Sequence, residues 1–570
     1  MVWYLLNPAR LQAEQDDITA MAATAPWLEI VRWRIDPSLR LECEATIRTP
    51  TRDYDVTLVY GAGFPDTPPS VVPRGSTERW SYHQFGSGGE LCLEFGPDNW
   101  QREITGAMLL ESAHRLLETE APLLPGDCPL PEVVSRHEVT PGQAMRPKHF
   151  RMTFSPGLAQ RVEGASGPCA ARFSVRCSED TWLSIPFALT IPGEEEWLDA
   201  TVPPPERVGA NAWSGYIRAD APPTLPRTVQ ALRCAVLGEE VEPTTKIEWF
   251  LLKQADQWRA YLTFPDSDKV EELALFSPEP AVRLPTDYAD LANKTVGLIG
   301  AGSVGSKVAT MLARAGVRKF EVVDDDVLHQ ENLVRNEFDW ADVGLHKGHA
   351  LRQRLLRVRP DAEIVVRRLR LGGQESNLSA DAAVLALSRC DLLIDATAAG
   401  AAFNLIAAAC RMGKKPMVWV EVFAGGIGGV IARSRPGLDP PPPAARALLS
   451  QWYQDRNTPF PGGSSARYEL DRSGEPLIAD DADVSVIAAH LARFSLDTLL
   501  GKTPSEFPVS AYVIGLKKEW IFDQPFDVWP VDLGPAPEEE TIVDDPVLQQ
   551  RGVATLTSLL ESLSASTPTA

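Results

Sequence analysis

The chain has 570 residues, with 55 Lys and Arg against 77 Asp and Glu and a formal net charge of −22. That balance argues against a nucleic-acid binder, whose footprint is a basic surface. With 44% hydrophobic and 23% charged residues, the composition is globular and the length suits about three to four domains. Eight cysteines, at 43, 92, 128, 169, 177, 234, 390 and 410, form no C-x-x-C pair. This argues against structural zinc and a disulfide scaffold, and fits a reducing, cytoplasmic compartment. No apolar run is long enough for a membrane span, and the first residues lack a basic-then-apolar pattern, so neither a span nor a signal peptide is expected.

Residues 7–23 place Leu11, Ile18 and Met21 on helical spacing and predict an amphipathic helix. Strand-like runs at 27–35, 41–48 and 54–60 follow, separated by turns at Pro37 and Pro50. These predict a meander. Phe64, Pro65, Pro68 and Pro69 make a stiff edge segment, because proline donates nothing to a ladder. After Tyr82 and His83 come Gly89, Leu91, Cys92 and Leu93 in G-x-L-C-L, then Asn99 and Trp100, then a predicted helix near 105–117.

This order, with Phe64-Pro65, Pro68-Pro69, His83, Gly89, Cys92 and Trp100, resembles the ubiquitin-conjugating enzyme fold over residues 1–120. The resemblance implies an α+β domain in which Cys92 holds an acyl group as a thioester. A cysteine does this chemistry as its thiolate. His83 is a second candidate, although the resembling fold uses this histidine more often structurally than as a base. Phe85 stands where that family has an oxyanion-stabilising asparagine.

Residues 121–150 are rich in Pro and Gly without periodicity and read as a linker. Between 151 and 280, strand-like runs at 172–176, 183–191, 228–237, 246–252 and 258–264 predict a β-rich middle domain. It shows no chemical constellation of its own.

From 281 to 535, alternating strands and helices predict a doubly wound parallel sheet. An apolar strand at 295–299 runs into Gly300, Gly302 and Gly305 as G-x-G-x-x-G, and 306–316 read as a helix. Such a turn lets the backbone approach a phosphate at the helix N-terminus. Alone it says only that a nucleotide binds. Asp324, Asp325 and Asp326 end the next strand, Asn332 and Arg335 stand in N-L-x-R, and Lys347 lies at the start of a helix to 359. Further strands are expected at 364–369, 390–397 and 416–423, and helices at 403–412 and 483–500. An irregular segment is expected at 435–480, paired strands at 510–522 and 526–533, and a disordered end from about 558 inside a tail of 536–570.

The combination resembles the ThiF/MoeB adenylyltransferases and the ubiquitin-activating enzymes. The chain then reads as an α/β multidomain protein: an N-terminal ubiquitin-conjugating fold, a β-rich middle domain and a C-terminal Rossmann-like ThiF adenylation domain. By position, the resemblance implies ATP bound by Gly300, Gly302, Gly305, Asp324, Asp326, Asn332, Arg335, Lys347 and Asp395, with Asp324 at the ribose. Arg335 and Lys347 would be catalytic on the triphosphate, Arg335 across a homodimer. Attack of a carboxylate on an α-phosphate brings two anions together, so fixed cations must offset the repulsion. The family's D-x-T-D turn is Asp395, Ala396, Thr397 and Ala398 here. Mg2+ is expected to arrive with ATP, and Asp395 is the candidate ligand left for it.

Activating enzymes that pass a carrier onward usually have a further cysteine beyond the core, and this chain has none after Cys410. Cys390 and Cys410 read as packing. The carrier then passes to Cys92 directly, or through an oxygen nucleophile for which Ser464 and Ser465 are candidates. A chain with both domains resembles bacterial activating–conjugating fusions of ubiquitin-like antiphage systems. That implies a small ubiquitin-like protein as partner, an unnamed target, no nucleic-acid or membrane partner, and a role in antiviral defence. A non-catalytic scaffold with a degenerate activating domain is one rival. A sulfur-carrier adenylyltransferase leaves the 64–100 motif unexplained, and a dehydrogenase leaves Asn332, Arg335 and Lys347 unexplained.

Overall fold

Asn7 sets the start of the N-terminal architecture. Its side chain accepts a hydrogen bond from the Arg10 amide at 3.1 Å, and Pro8 suits the first helical turn. Behind a short helix α1 (Trp3–Leu6), this starts α2 (Pro8–Thr24). The computed structural model describes residues 2–120, 140, 142, 145–207, 212–222, 227–238, 246–254, 256–276, 283–456, 479–537 and 546–565. It falls into two units, Met1–Pro147 and Lys148–Ala570.

In the first unit an antiparallel meander runs β1 (Leu28–Ile35), β2 (Leu41–Arg48), β3 (Asp53–Tyr60), β4 (Ser70–Pro73). Helix α3 (Gly106–Glu120) lays Leu109, Leu110, Ala113, Leu116 and Leu117 into the core shared with the meander. Glu14 of α2 is fully buried. It is stabilised by the Tyr60 hydroxyl (2.7 Å), the Gly106 amide (2.7 Å) and Arg10 Nε (2.9 Å), so one carboxylate ties α2, β3 and the start of α3. Gly106 must be small there, since a Cβ would lie 2.1 Å from the Tyr60 hydroxyl.

The second unit holds two sheets. The first contains β5 (Phe150–Thr153), β6 (Cys169–Ser178), β7 (Thr181–Thr190), β8 (Trp197–Leu198), β9 (Ala212–Arg218), β10 (Glu248–Gln254), β11 (Gln257–Thr263) and β12 (Val270–Phe276). Its order is β5-β12-β11-β10-β9-β6-β7-β8, and β5 also pairs with β7. The sheet therefore closes on itself through β7, with the two-residue β8 left as a short edge. Helix α4 (Pro156–Glu163) adds Leu158 and Val162 to its core. The expected strand at 228–237 is instead a helix, α5 (Val229–Leu237). Thr228 Oγ1 accepts from the Ala231 amide at 3.2 Å, and Gly238 closes the helix in the left-handed region. Caps and the i, i+4 pair Leu232 and Val236 outweigh the apolar composition.

The other sheet runs β15-β14-β13-β16-β17-β18-β19-β20. Its strands are β13 (Thr295–Ile299), β14 (Lys319–Val323), β15 (Glu363–Arg367), β16 (Leu392–Asp395), β17 (Met417–Val422), β18 (Gly428–Ser434), β19 (Ala511–Gly515) and β20 (Val528–Val531). The first five of that order are parallel and the rest pair antiparallel, so the sheet is mixed rather than wholly parallel as expected. Helices α6 (Ser303–Ala315), α7 (Lys347–Val358) and α11 (Asp481–Leu500) share one core, and α8 (Asn377–Leu387), α9 (Gly400–Gly413) and α10 (Pro442–Asp455) share another.

Helix α10 lies inside the stretch expected to be irregular. Its prolines occupy the first turn, where a missing N–H costs nothing, and Ala445, Leu449 and Tyr453 form the buried stripe. The end expected to be disordered from about 558 carries helix α12 (Pro546–Ala565). Among the described residues no helix is long and apolar enough to cross a membrane.

Candidate nucleotide and thiol sites

Ile299 lies opposite Val323 on one side and Asp395 on the other. Strands β14, β13 and β16 therefore end level, where the strand order reverses direction, the usual ligand crevice of an open α/β sheet. Gly300 leaves β13 at φ +90°, and a Cβ there would press to 3.0 Å on the Ala396 carbonyl. A Cβ on Gly305 would lie 1.9 Å from the Gly300 carbonyl oxygen. Gly302 has open space around it and precedes α6 without a side-chain cap. The turn is thus closed at two glycines and open at the third, where the helix amides begin.

Asp324 orders this turn. Its Oδ2 accepts from the Ala301 amide at 2.7 Å and its Oδ1 from the Asp326 amide at 2.9 Å. Burial pushes its carboxyl up, and those two amides pull it back. Burial acts the same way on Asp326, but the Lys347 ammonium, paired with its carboxylate, holds Asp326 below the usual range. The Lys347 amide also donates to the Asp326 carbonyl oxygen at 2.9 Å. Three sequence candidates, Asp324, Asp326 and Lys347, therefore stand with the glycines in one connected group.

Asn332 and Arg335 lie on the following turn, Gln330–Val334 and its C-cap. Asn332 Oδ1 accepts from the His329 amide at 3.0 Å, and the Asn332 carbonyl from the Arg335 amide at 3.2 Å. Residues that sequence reasoning missed fasten the neighbouring segment. The Glu337 amide donates to Ser306 Oγ at 3.3 Å, and Arg354 of α7 pairs with the Glu337 carboxylate at 2.8 Å. Buried Lys307 of α6 pairs with Asp481 at 2.7 Å and lies 3.9 Å from Glu337. A lysine within an apolar helical pattern is the signal that could have found it.

Asp395 serves its own turn: Oδ1 accepts from the Thr397 amide (2.9 Å) and hydroxyl (2.6 Å). Burial pushes this carboxyl up as well. Ala398 brings no second carboxylate and sits at φ +53°. Nearby Glu421 is engaged by Arg446 of α10 at 3.2 Å. Among the described residues no group of three His, Cys, Asp or Glu is placed to hold a metal ion. A magnesium ion that arrives with ATP needs only one or two carboxylates besides the phosphates, and the Asp395 Oδ2 is not used by the Thr397 bonds.

In the first unit, Gln84 and Leu91 form an antiparallel bridge. The Cys92 amide donates to the His83 carbonyl at 2.8 Å and the Phe85 amide to the Glu90 carbonyl at 2.9 Å. Gly89 makes the tight return, since a Cβ there would lie 1.9 Å from the Phe85 carbonyl oxygen. The Trp100 indole donates to the Pro65 carbonyl at 2.8 Å and fixes the proline segment. Cys92 is 5% exposed. Burial, and then Glu90, push its thiol up to about 12 against the opposing charge of Arg79. Phe85 is 53% exposed. Cys390 and Cys410 are buried, and burial pushes both thiols up to about 12. Ser464 and Ser465 lie outside the described residues.

The ThiF family model matches residues 279–465. A ThiF domain thus occupies the C-terminal region, around the glycine turn and the β13–β17 strands. The uncharacterised protein y4oA of Sinorhizobium fredii is 30% identical over 189 residues, 31% of this chain and 31% of that protein. The sulfur carrier protein ThiS adenylyltransferase of Escherichia coli is 33% identical over 140 residues, 24% of this chain and 52% of that one. The ATP-dependent ubiquitin transferase-like protein Cap2 of Enterobacter hormaechei is 42% identical over 73 residues, 13% of this chain and 12% of that one. The chain spans about half or less of each relative.

Proposed function

We propose that this chain activates the C-terminal carboxylate of a small ubiquitin-like protein with ATP and receives it on Cys92 for conjugation to a target. One observation carries the reading: the group in which Asp324 orders the glycine turn while Lys347 is fixed beside it on Asp326. ATP phosphates lie over the α6 N-terminus with the ribose at Asp324. The carrier carboxylate attacks the α-phosphate and pyrophosphate leaves. Lys347 and Arg335 offset the charge that accumulates, Arg335 across a homodimer. Magnesium would arrive bound to ATP, with Asp395 as its candidate ligand in this chain.

In the same reading, residues 1–120 form a ubiquitin-conjugating-like domain, 121–150 a linker, 151–280 a middle domain, 281–535 the adenylation domain and 536–570 a tail. The similarity to the ATP-dependent ubiquitin transferase-like protein Cap2 supports the ubiquitin-transferase part of this reading, and the same reading places the chain in the cytoplasm in antiviral defence.

The test is exchange of labelled pyrophosphate into ATP, with a ubiquitin-like protein from the same genome as substrate. Exchange that falls at least about a hundredfold in Lys347→Ala supports the reading. Equal exchange in Lys347→Ala overturns the assigned role. Ala398 favours a second reading, a non-catalytic scaffold that binds a carrier without activating it. Absence of exchange with retained carrier binding would establish that reading instead.

A further inference from the structure

Resting on the reading of Cys92 as acyl acceptor, we propose that His83 takes the Cys92 proton and that Glu120 is the positioning residue that holds the imidazole for it. His83 and Cys92 are opposite residues of one short antiparallel ladder, joined by the Cys92 amide and the His83 carbonyl at 2.8 Å. Opposite residues project to the same side, with Cβ atoms about 5 Å apart. The pairing therefore sets both side chains on one side of the ladder although nine positions separate them in the chain.

Glu120 closes the arrangement from the end of α3. Its side chain is 1% exposed. Its Oε2 accepts from the Ser81 hydroxyl at 2.6 Å and from the Tyr82 amide at 3.0 Å. Its Oε1 has no hydrogen-bond donor among the described residues and faces His83 Nε2 at 3.5 Å. The Ser81 hydroxyl oxygen also accepts from the His83 amide at 2.8 Å, which fixes the backbone that carries the ring. A buried carboxylate directed at an imidazole sets its orientation and stabilises the imidazolium once formed.

Cys92 needs such a base. The thiol is buried, Glu90 adds a like charge to any thiolate, and Arg79 is the opposing cation. The Arg79 guanidinium is already spent on the Ser81 and Tyr82 carbonyls, at 3.1 Å each. In the step proposed, the Sγ proton moves to Nδ1, the ring nitrogen on the side away from Glu120. The thiolate attacks the carbonyl carbon of the acyl adenylate. The C–S bond forms, the C–O bond to AMP breaks, and AMP leaves with that electron pair. The imidazolium then gives its proton to solvent.

The test uses the full chain and iodoacetamide, with alkylation of the Cys92 peptide followed by mass spectrometry from about pH 6 to about pH 9.5. His83→Gln is expected to slow Cys92 alkylation about tenfold near pH 7 and move the rate profile to higher pH. Glu120→Gln moves it the same way by less, and Glu120→Asp restores part of the shift. A His83→Gln profile that overlays the parent overturns the proposal. If Glu120→Gln does not fold, as judged by circular dichroism, the His83→Gln profile still decides. This readout needs no carrier, so its failure is separate from that of the acceptor reading, which an ATP-dependent adduct surviving in Cys92→Ala would overturn.

Discussion

Lys347 and Asp326 are joined twice: the ammonium pairs with the carboxylate, and the Lys347 amide donates to the Asp326 carbonyl oxygen at 2.9 Å. The backbone bond fixes the start of α7 to the turn after β14, and the ion pair holds a buried cation beside that turn. Lys347→Met is expected to lower pyrophosphate release about 10²- to 10³-fold, the effect of removing one preorganised group from developing charge. Asp326→Asn keeps the cation but loosens its position, and is expected to cost about tenfold. Steady-state pyrophosphate release, with thermal melts to verify folding, checks both.

The glycine turn separates a folding requirement from a ligand requirement. Gly305→Ala places a methyl 1.9 Å from the Gly300 carbonyl oxygen, so it should destabilise the chain by about 1–3 kcal/mol and abolish ATP binding. Gly302→Ala meets nothing within 4 Å. Its stability should stay within about 0.5 kcal/mol of the parent, while calorimetric ATP affinity falls at least about tenfold, because the methyl enters the space proposed for phosphate. Undiminished affinity in Gly302→Ala would place the phosphates elsewhere.

Arg433 and Asp497 form a buried pair 2.8 Å apart, with side chains 0% and 3% exposed. Arg433 also donates to Ser505 Oγ at 3.0 Å and to the Phe507 carbonyl at 2.7 Å. Arg433→Met should cost about 3–5 kcal/mol, since it leaves a buried carboxylate uncompensated. Burial would push Asp497 up, but Ser505, the Glu506 amide and Arg433 hold it below the usual range. A depressed folded-state value contributes stability above the unfolded carboxyl value, about 3.9. That stability is lost as pH falls through the folded value. Urea midpoints at about pH 6 and about pH 3 should therefore differ more in the parent than in Asp497→Asn.

The glycine turn is legible in the sequence because its requirements are local: an apolar strand, three glycines and a helix within some twenty positions. The division of labour among Asp324, Asp325 and Asp326 is not. Only the fold shows that Asp324 serves the Ala301 amide and Asp326 serves Lys347. Helix α10 hides behind prolines that look like breakers until they are seen in its first turn. Closure of the β5–β12 sheet depends on β5 pairing with β7, a non-local contact with no periodic trace. Glu120 reads as one more charge at a helix end, and its place beside His83 arises only when α3 packs on the ladder. Ala398 shows the opposite case: the sequence reveals the missing carboxylate, and the fold adds the engaged state of Asp395 and Glu421.

The most direct test of the account is intact-protein mass spectrometry of the chain with ATP and a ubiquitin-like protein from the same genome. The account predicts an ATP-dependent species heavier by the carrier less one water. It should be cleaved by dithiothreitol, mapped to Cys92 and lost in Cys92→Ala. An adduct of the same mass that persists in Cys92→Ala would contradict it.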